Sequence, residues 1–250
     1  MLTALVAVGT LAVLVVAAVV VVDVVRGQAR ADQTTLGPVL VVPGYGGRVE
    51  SLEPLVDALR AAGRDVEIVA PIGDGTGDLE AEARRLGEVA EQAMERTDAT
   101  SVDVVGYSAG GVVARLWVAD DGATVARRVV TIGSPHHGTD VAQLAVDVAG
   151  SCPTACRQLV PDSDLLRVLN ARDETPDGPA WVTLQSDSDE VVTPSESASL
   201  DGALDLVVQE FCPDATTSHG ALPGDPVVLA ALESTLGPAD PRVPMGVDCD

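Results

Sequence analysis

A serine stands at the centre of the most informative short motif in this chain. Residues 106–110 (GYSAG) have the G-x-S-x-G spacing, directly after the apolar run 101–105 and directly before a helical pattern that begins at Ala109. The spacing predicts a sharp strand-to-helix turn that exposes the Ser108 hydroxyl at a helix N-terminus. Side chains in place of the two glycines would clash with the neighbouring strand and helix. The motif therefore indicates nucleophilic chemistry by Ser108, with an ordinary glycine-rich turn as the alternative.

A serine hydroxyl needs a base beside it to act as a nucleophile at neutral pH. The chain has three histidines, His136, His137 and His219. In the strand-turn-helix scaffold the partners follow in the order serine, acid, histidine. His219 stands in a loop before the last predicted helix and fits this order. His136 and His137 come directly after the next strand, so we interpret them as loop residues that shape the pocket wall.

The acid that orients the histidine should follow a late strand, between Ser108 and His219. Residues 181–184 (WVTL) predict that strand, and the turn after it contains Asp187, Asp189 and Glu190. We favour Asp189, because the apolar pair after it suits a loop that folds back over the sheet edge, and we keep the other two as alternatives. Such an acid holds the imidazole in the right tautomer and stabilises the imidazolium without taking the proton itself.

Acyl transfer also needs donors for the oxyanion that forms in the transition state. The first is the backbone N–H of the residue after the nucleophile, Ala109. The second is expected in the turn after the first core strand, residues 42–47 (VPGYGG), where Gly44 lets the backbone approach and Tyr45 N–H is the candidate. A phosphate-binding loop is the rival interpretation of these glycines, but the G-K-[ST] ending and the G-x-G-x-x-G spacing are both missing.

Alternating strand and helix patterns position these residues. Such alternation predicts an α/β fold with a mostly parallel central sheet and helices on both faces. Residues 138–178 are long, partly helical and without a clear strand, which indicates an insertion such as a lid. Predicted strands are 38–42, 65–69, 101–105, 127–132, 181–184 and 204–208, and predicted helices are 51–62, 78–96, 109–119 and 226–236.

Together these motifs resemble those of bacterial secreted lipases and esterases of the α/β-hydrolase superfamily. The resemblance covers roughly residues 37–237 and includes residues 43–47 (PGYGG), where Pro43 replaces the usual histidine. It implies hydrolysis of carboxylic esters, often of lipids. The resemblance implies Ser108, Asp189 and His219 as catalytic triad and Tyr45 and Ala109 as oxyanion donors. The other matching segments are 106–110, 133–139 (GSPHHGT) and 186–192 (SDSDEVV).

An acyltransferase or a thioesterase on the same scaffold is the first alternative function. A non-catalytic envelope-binding module is the second, and it predicts an incomplete triad, whereas here all three members are available. We expect a lipid or other acyl ester as substrate, a monomer, and no cofactor or metal. In residues 74–78 (DGTGD) we expect a solvated turn with Asp78 capping the next helix, and a calcium loop is the alternative.

The charge balance excludes several classes of protein. The 250 residues include 15 arginines, no lysine and 38 acidic residues, giving a formal net charge of −23. Binding to nucleic acid requires a basic patch, and anionic membrane surfaces should repel so acidic a domain. A hydrophobic content of 46% is too high for a disordered chain. We therefore expect one globular catalytic domain in residues 32–250.

Residues 1–31 form a separate unit, a signal peptide or a membrane anchor. Residues 2–22 contain no charge, and as a helix they would match a hydrocarbon core of about 30 Å. Cleavage before Asp32 fits a signal peptide, whereas the length of the apolar run favours an anchor. The basic residues after the span would instead leave the chain in the cytoplasm.

The cysteines favour export. Four cysteines after an export-like segment predict two disulfides, which we assign as Cys152–Cys156 and Cys212–Cys249, with buried free thiols as the alternative. We therefore expect a protein that is secreted or anchored on the outer face of the cell membrane.

Overall fold

Six parallel strands form the centre of the computed structural model, which describes residues 30–249. They are adjacent in the order β2-β1-β3-β4-β5-β6. β1, β3 and β4 are buried along their whole length, as expected for strands covered on both faces. The strands are β1 (Val39–Val42), β2 (Val66–Ile68), β3 (Val102–Tyr107), β4 (Ala126–Ile132), β5 (Ala180–Gln185) and β6 (Leu204–Val207).

Helices cover both faces of this sheet, which confirms the predicted architecture. Side chains alternate along each strand, so Val39 and Val41 pack into one core with α1 and α8, and Leu40 and Val42 pack into the other with α2 and α3. The α-helices are α1 (Glu53–Ala61), α2 (Leu79–Thr97), α3 (Ala109–Asp120), α4 (Asp140–Ala149), α5 (Thr154–Gln158), α6 (Asp164–Asn170), α7 (Val208–Phe211) and α8 (Pro226–Thr235).

The start of α2 shows how the sequence sets a helix boundary. The Asp78 carboxylate accepts a hydrogen bond from the Glu80 amide, which confirms its predicted role as N-cap. The Asp74 carboxylate is bound within its own turn, by the amide and hydroxyl of Thr76. Residues 74–78 therefore form a turn that leads into a helix, as expected.

The insertion at residues 138–178 contains α4, α5 and α6 and, as predicted, no strand within the described chain. The Cys152–Cys156 disulfide links the segment after α4 to α5, and Cys212–Cys249 ties the C-terminal segment to the residue after α7. Both predicted pairings are confirmed. Disulfides of this kind are typical of proteins in oxidising compartments.

The strand order reverses between β1 and β3, because β1 pairs with β2 on one side and with β3 on the other. At such a point the loops that leave the carboxyl ends of the two strands diverge and open a crevice, where α/β proteins bind their ligands. The glycine-rich loop after β1 and Ser108 after β3 both lie at this point. The topology thus brings the two predicted motifs to one place.

The N-terminal prediction falls outside the part of the chain that the structure describes. Residues 2–22, the predicted apolar span, are not among residues 30–249. Of the helices that are described, none has both the length and the apolar character needed to cross a membrane.

Candidate active site

Ser108 occupies a strained turn between β3 and α3. Its backbone has φ 54° and ψ −126°, a region that residues other than glycine rarely adopt. The flanking glycines make the turn sterically feasible, as predicted. A Cβ on Gly106 would lie 2.6 Å from the Gly110 carbonyl oxygen, and one on Gly110 would lie 2.2 Å from the Val42 carbonyl oxygen.

Ser108, His219 and Asp189 are joined by hydrogen bonds although they are far apart in sequence. Nε2 of His219 lies 3.0 Å from the Ser108 Oγ, and its Nδ1 lies 2.7 Å from the Asp189 Oδ2. All three residues are buried, with 7–9% of their surface exposed. A hydroxyl, an imidazole and a carboxylate linked in this order can activate the hydroxyl for nucleophilic attack.

The three acidic residues of the turn after β5 make different contacts. Asp189 uses Oδ2 for the imidazole, while its Oδ1 accepts hydrogen bonds of 2.8 Å from the amides of both Val191 and Val192. Asp187 is exposed, and its amide donates to the side chain of Gln209. Glu190 bonds to the backbone of His219 rather than to its ring. Asp189 is therefore the carboxylate that contacts the imidazole.

The loop after β1 lies directly against the serine. A Cβ added to Gly44 would come within 2.9 Å of the Ser108 Cβ, so a glycine is needed for this approach. Within the described chain the Tyr45 amide donates to no backbone carbonyl. Ala109 is the first residue of α3, and the carbonyls of its own helix are out of reach of its amide. The two predicted oxyanion donors are thus the amide directly after the nucleophile and the amide directly after Gly44, in the loop that packs against it.

The two remaining histidines support the loop after β4. His136 is fully buried, and its Nε2 lies 3.0 Å from the Thr131 hydroxyl. Burial, followed by the nearby Arg115 and His137, lowers the pKa of His136 well below its usual value, so its ring is neutral. His136 is part of the interior, and our interpretation of it as a pocket-wall residue was wrong. His137 lines a surface depression whose lining includes none of Ser108, Asp189 and His219, and it pairs there with Glu174 at 2.8 Å.

Three residues at the site were not assigned correctly from sequence. Gly133 has φ +53°, and a Cβ there would lie 3.1 Å from Asp189 Oδ2 and 3.3 Å from His219 Cε1. Tyr107 donates its hydroxyl proton to the His219 carbonyl at 3.0 Å, and Glu190 accepts the His219 amide at 3.1 Å. Gly133 is the first residue of the 133–139 motif, and Tyr107 lies inside the G-x-S-x-G motif. The sequence therefore placed both residues near the site but did not predict which atoms they would approach.

Comparison with known proteins extends these observations. The sequence model of the palmitoyl protein thioesterase family matches residues 38–170, which include the Ser108 turn. A triacylglycerol lipase of Pseudarthrobacter phenanthrenivorans is 36% identical over 70 residues, which are 28% of this chain and 22% of the relative. The chain thus spans about a fifth of the length of the curated relatives that it matches.

Two solved structures share the fold. Aspergillus fumigatus lipase B superposes with a TM-score of 0.74 at 20% identity, covering 84% of this chain and 56% of the lipase. The mature form of the Bacillus licheniformis lipase BlEst2 gives 0.67 at 17% identity, covering 83% and 94%. These matches confirm the predicted α/β-hydrolase fold for the described part of the chain.

Proposed function

The chain belongs to the palmitoyl protein thioesterase family, and we propose that it is a serine hydrolase that cleaves carboxylic esters of lipids. One observation carries the proposal: the continuous hydrogen-bonded path from Asp189 through His219 to Ser108, with steps of 2.7 and 3.0 Å. Its support from relatives is the match to a triacylglycerol lipase.

In the proposed reaction Ser108 Oγ attacks the ester carbonyl carbon while His219 Nε2 takes the hydroxyl proton. The tetrahedral intermediate collapses, the C–O bond to the alcohol breaks, and His219 returns the proton to the leaving oxygen. Water then attacks the acyl-enzyme, again giving its proton to His219, and releases the carboxylic acid and free Ser108. Asp189 stays ionised and stabilises the imidazolium in both halves.

We assign the oxyanion to the amides of Tyr45 and Ala109. The carbonyl oxygen gains negative charge only in the transition state, so these donors lower the barrier without tightening substrate binding equally. Each such donor contributes about 3 kcal/mol to transition-state stabilisation. The close approach of Gly44 to Ser108 supports the placement of the Tyr45 amide beside the reacting carbon.

The insertion 138–178 is proposed to act as a lid over this site. α4 begins beside the acid-bearing turn, since the Asp140 amide donates to the Thr193 carbonyl at 2.9 Å. It carries three exposed apolar side chains at helical spacing, Val141, Leu144 and Val148, which are 42%, 61% and 79% exposed. Apolar groups in this position suit contact with the acyl part of a lipid substrate.

We further propose that residues 32–250 form one exported catalytic domain that acts as a monomer. The two disulfides support export. Residues 1–31 would then serve as its signal peptide or hold it on the outer face of the membrane through residues 2–22.

A thioesterase is the second candidate, because the family is described by thioester chemistry. The same triad would serve, with a thiolate replacing the alkoxide as leaving group. An acyltransferase differs only in the acceptor, since an alcohol or thiol would then compete with water for the acyl-enzyme.

The test compares the purified protein with its Ser108→Ala variant on p-nitrophenyl esters of increasing chain length and on matched acyl thioesters. We expect hydrolysis by the parent protein and a loss of about 10⁴-fold or more in the variant. Faster turnover of long-chain esters supports a lipase, and faster turnover of thioesters supports the second candidate. Equal activity of the parent and the variant would exclude Ser108 as the nucleophile and end the proposal.

A further inference from the structure

We infer that Glu190 and Tyr107 are positioning residues that hold His219 by its main chain, and that the negative charge of Glu190 assists Asp189 in stabilising the imidazolium. This inference rests on the proposed role of His219 as the base. It extends that proposal because, in the described chain, the hydrogen bonds of both side chains to His219 go to its main chain and not to the ring nitrogens that move protons.

Glu190 binds the amide of the catalytic histidine. The amide of His219 donates to the Glu190 Oε2 at 3.1 Å, while the neighbouring Asp189 binds the imidazole Nδ1 at 2.7 Å. Two consecutive residues of one turn thus place their carboxylates on the main chain and the ring of the same histidine. His219 is the first residue of a 3-10 turn (His219–Gly224), so no carbonyl within that turn satisfies its amide.

Tyr107 holds the other side of the same residue. Its hydroxyl donates to the His219 carbonyl at 3.0 Å, and its ring stacks on the imidazole with centroids 5.1 Å apart and planes 30° apart. Burial, and then the charges of Asp189 and Glu190, raise the pKa of Tyr107 to about 12. The phenol therefore remains a neutral donor at every pH at which the enzyme would work.

These contacts fix the parts of His219 that its side-chain partners leave free. The imidazole has to reach Ser108 Oγ and then the leaving group, and a displacement of about 1 Å in such a site costs about 10²-fold in rate. Residues 219–224 form a short turn in a loop rather than a long element. Contacts to the amide, the carbonyl and the ring face of His219 compensate for this weak local support.

Other charged groups near His219 could also affect the pH dependence, so the effect of Glu190 has to be distinguished from theirs. Three elements pack against the 219–224 turn: the 3-10 turn 50–52, α1 and α8. Their charged residues are Glu50 on the first, Glu53, Asp57 and Arg60 on α1, and Glu233 on α8, and Asp225 follows the 219–224 turn directly. Asp225 is engaged with Thr217 and with the N-terminus of α8. Asp189 and Glu190 are the carboxylates that hydrogen-bond directly to His219 in the described chain.

The experiment uses Glu190→Gln, Glu190→Ala and Tyr107→Phe in the full protein, with Asp187→Asn as the matched control in the same turn. Two rates are followed from pH 4.5 to 9: hydrolysis of p-nitrophenyl butyrate and phosphonylation of Ser108 by a fluorophosphonate. Both reactions need a neutral imidazole as base, so we expect both pH–rate profiles to have an acidic limb, that is, a fall in rate toward low pH.

Glu190→Gln keeps an acceptor but removes the charge that stabilises the imidazolium. We expect its acidic limb to move down by about 0.5 pH unit, with kcat within about threefold of the parent. Glu190→Ala should show the same shift and a fall of about tenfold in kcat at nearly constant KM, because the amide loses its anchor. Tyr107→Phe should lower kcat about tenfold and leave the acidic limb of the pH–rate profile where it is in the parent. Asp187→Asn should have the parental kcat and the parental pH–rate profile.

Three results would each overturn the inference. The first is an acidic limb of the pH–rate profile that does not move in Glu190→Gln, and the second is one that moves equally in Asp187→Asn. The third is a parental kcat in both Glu190→Ala and Tyr107→Phe. Since a Glu190→Ala protein that fails to fold could mimic a loss of kcat, recovery of the rate in Glu190→Gln is required for support. Phosphonylation separates this inference from the proposed function. If no ester is cleaved but Ser108 is labelled with the expected Glu190 dependence, the proposed function fails and the inference stands.

Discussion

The carboxyl ends of the strands form one edge of the sheet, the carboxyl edge, and their amino ends form the opposite one, the amino edge. Both edges bury charged groups, but for different purposes. At the carboxyl edge Ser108, His219 and Asp189 lie just beneath the surface, and two of the three are uncharged when the histidine is neutral. At the amino edge Asp103 is fully buried and accepts hydrogen bonds from Arg64 at 2.6 Å and from Arg127 at 2.5 Å. The first group gains a new charge only during the proposed reaction, whereas the second is a set of ion pairs that takes no part in it.

The arginines at the amino edge also bind the segments before β1 and after α8. Arg127 donates to the carbonyls of Leu236 and Gly237 at 2.9 and 2.8 Å, and Arg64 donates to the carbonyl of Gly37 at 2.9 Å. Asp103 thus neutralises guanidinium groups that fasten the segments before β1 and after α8. We infer that this edge serves stability and leaves the carboxyl edge free to carry a strained, reactive turn.

The largest effect is expected when the acid at the carboxyl edge is neutralised. Asp189→Asn keeps the shape of the side chain but favours the wrong imidazole tautomer, so kcat should fall by about 10⁴-fold. Thermal unfolding should change much less than activity. Steady-state kinetics check this, with Asp187→Asn as the control of equal chemistry in the same turn. A comparable loss in Asp187→Asn would contradict the assignment of Asp189.

At the amino edge the expected effect is on stability instead. Asp103→Asn leaves Arg64 and Arg127 without their counter-ion in the interior and should lower the free energy of unfolding by about 3–5 kcal/mol. The matched control is Asp65→Asn, which breaks the exposed ion pair with Arg96 and should change the urea midpoint little. Activity per folded molecule should stay at the parental value in both, and a specific loss of activity in Asp103→Asn would contradict the division between the edges.

A smaller effect should follow from a single methyl group beside the nucleophile. In Gly44→Ala the new Cβ would lie 2.9 Å from the Ser108 Cβ, and displacement of the serine and the facing loop should lower kcat by about 10²-fold. Gly77→Ala is the control, since no atom lies within 4 Å of the Cβ it adds. Parental kcat in Gly44→Ala would show that the loop after β1 can move away without affecting the reaction.

The sequence carries local signals for the residues at the carboxyl edge and none for the contacts at the amino edge. The Ser108 turn is specified locally. Two glycines within five residues stand where a side chain would clash with the neighbouring backbone. His219 and Asp189 follow from chain order and from their places after a strand or before a helix. The strands and both disulfides were predicted correctly.

The contacts missed from sequence all depend on three-dimensional approach. Asp103 and Arg127 are 24 residues apart, and Arg127 and Gly237 are 110 residues apart. No local pattern distinguishes these buried ions from the many exposed charges of so acidic a chain. Tyr107 and Glu190 bind backbone atoms of His219, and a residue type does not reveal which backbone atom its side chain will meet.

The most direct test of the central claim is to trap the acyl-enzyme. The protein is mixed with a p-nitrophenyl ester, quenched in acid within the first turnover, digested and analysed by mass spectrometry. The account predicts one acyl group on the peptide that contains Ser108, a burst of one equivalent of p-nitrophenol, and neither signal in Ser108→Ala. An acyl group on another residue, or ester hydrolysis that persists in Ser108→Ala without any adduct, would contradict it.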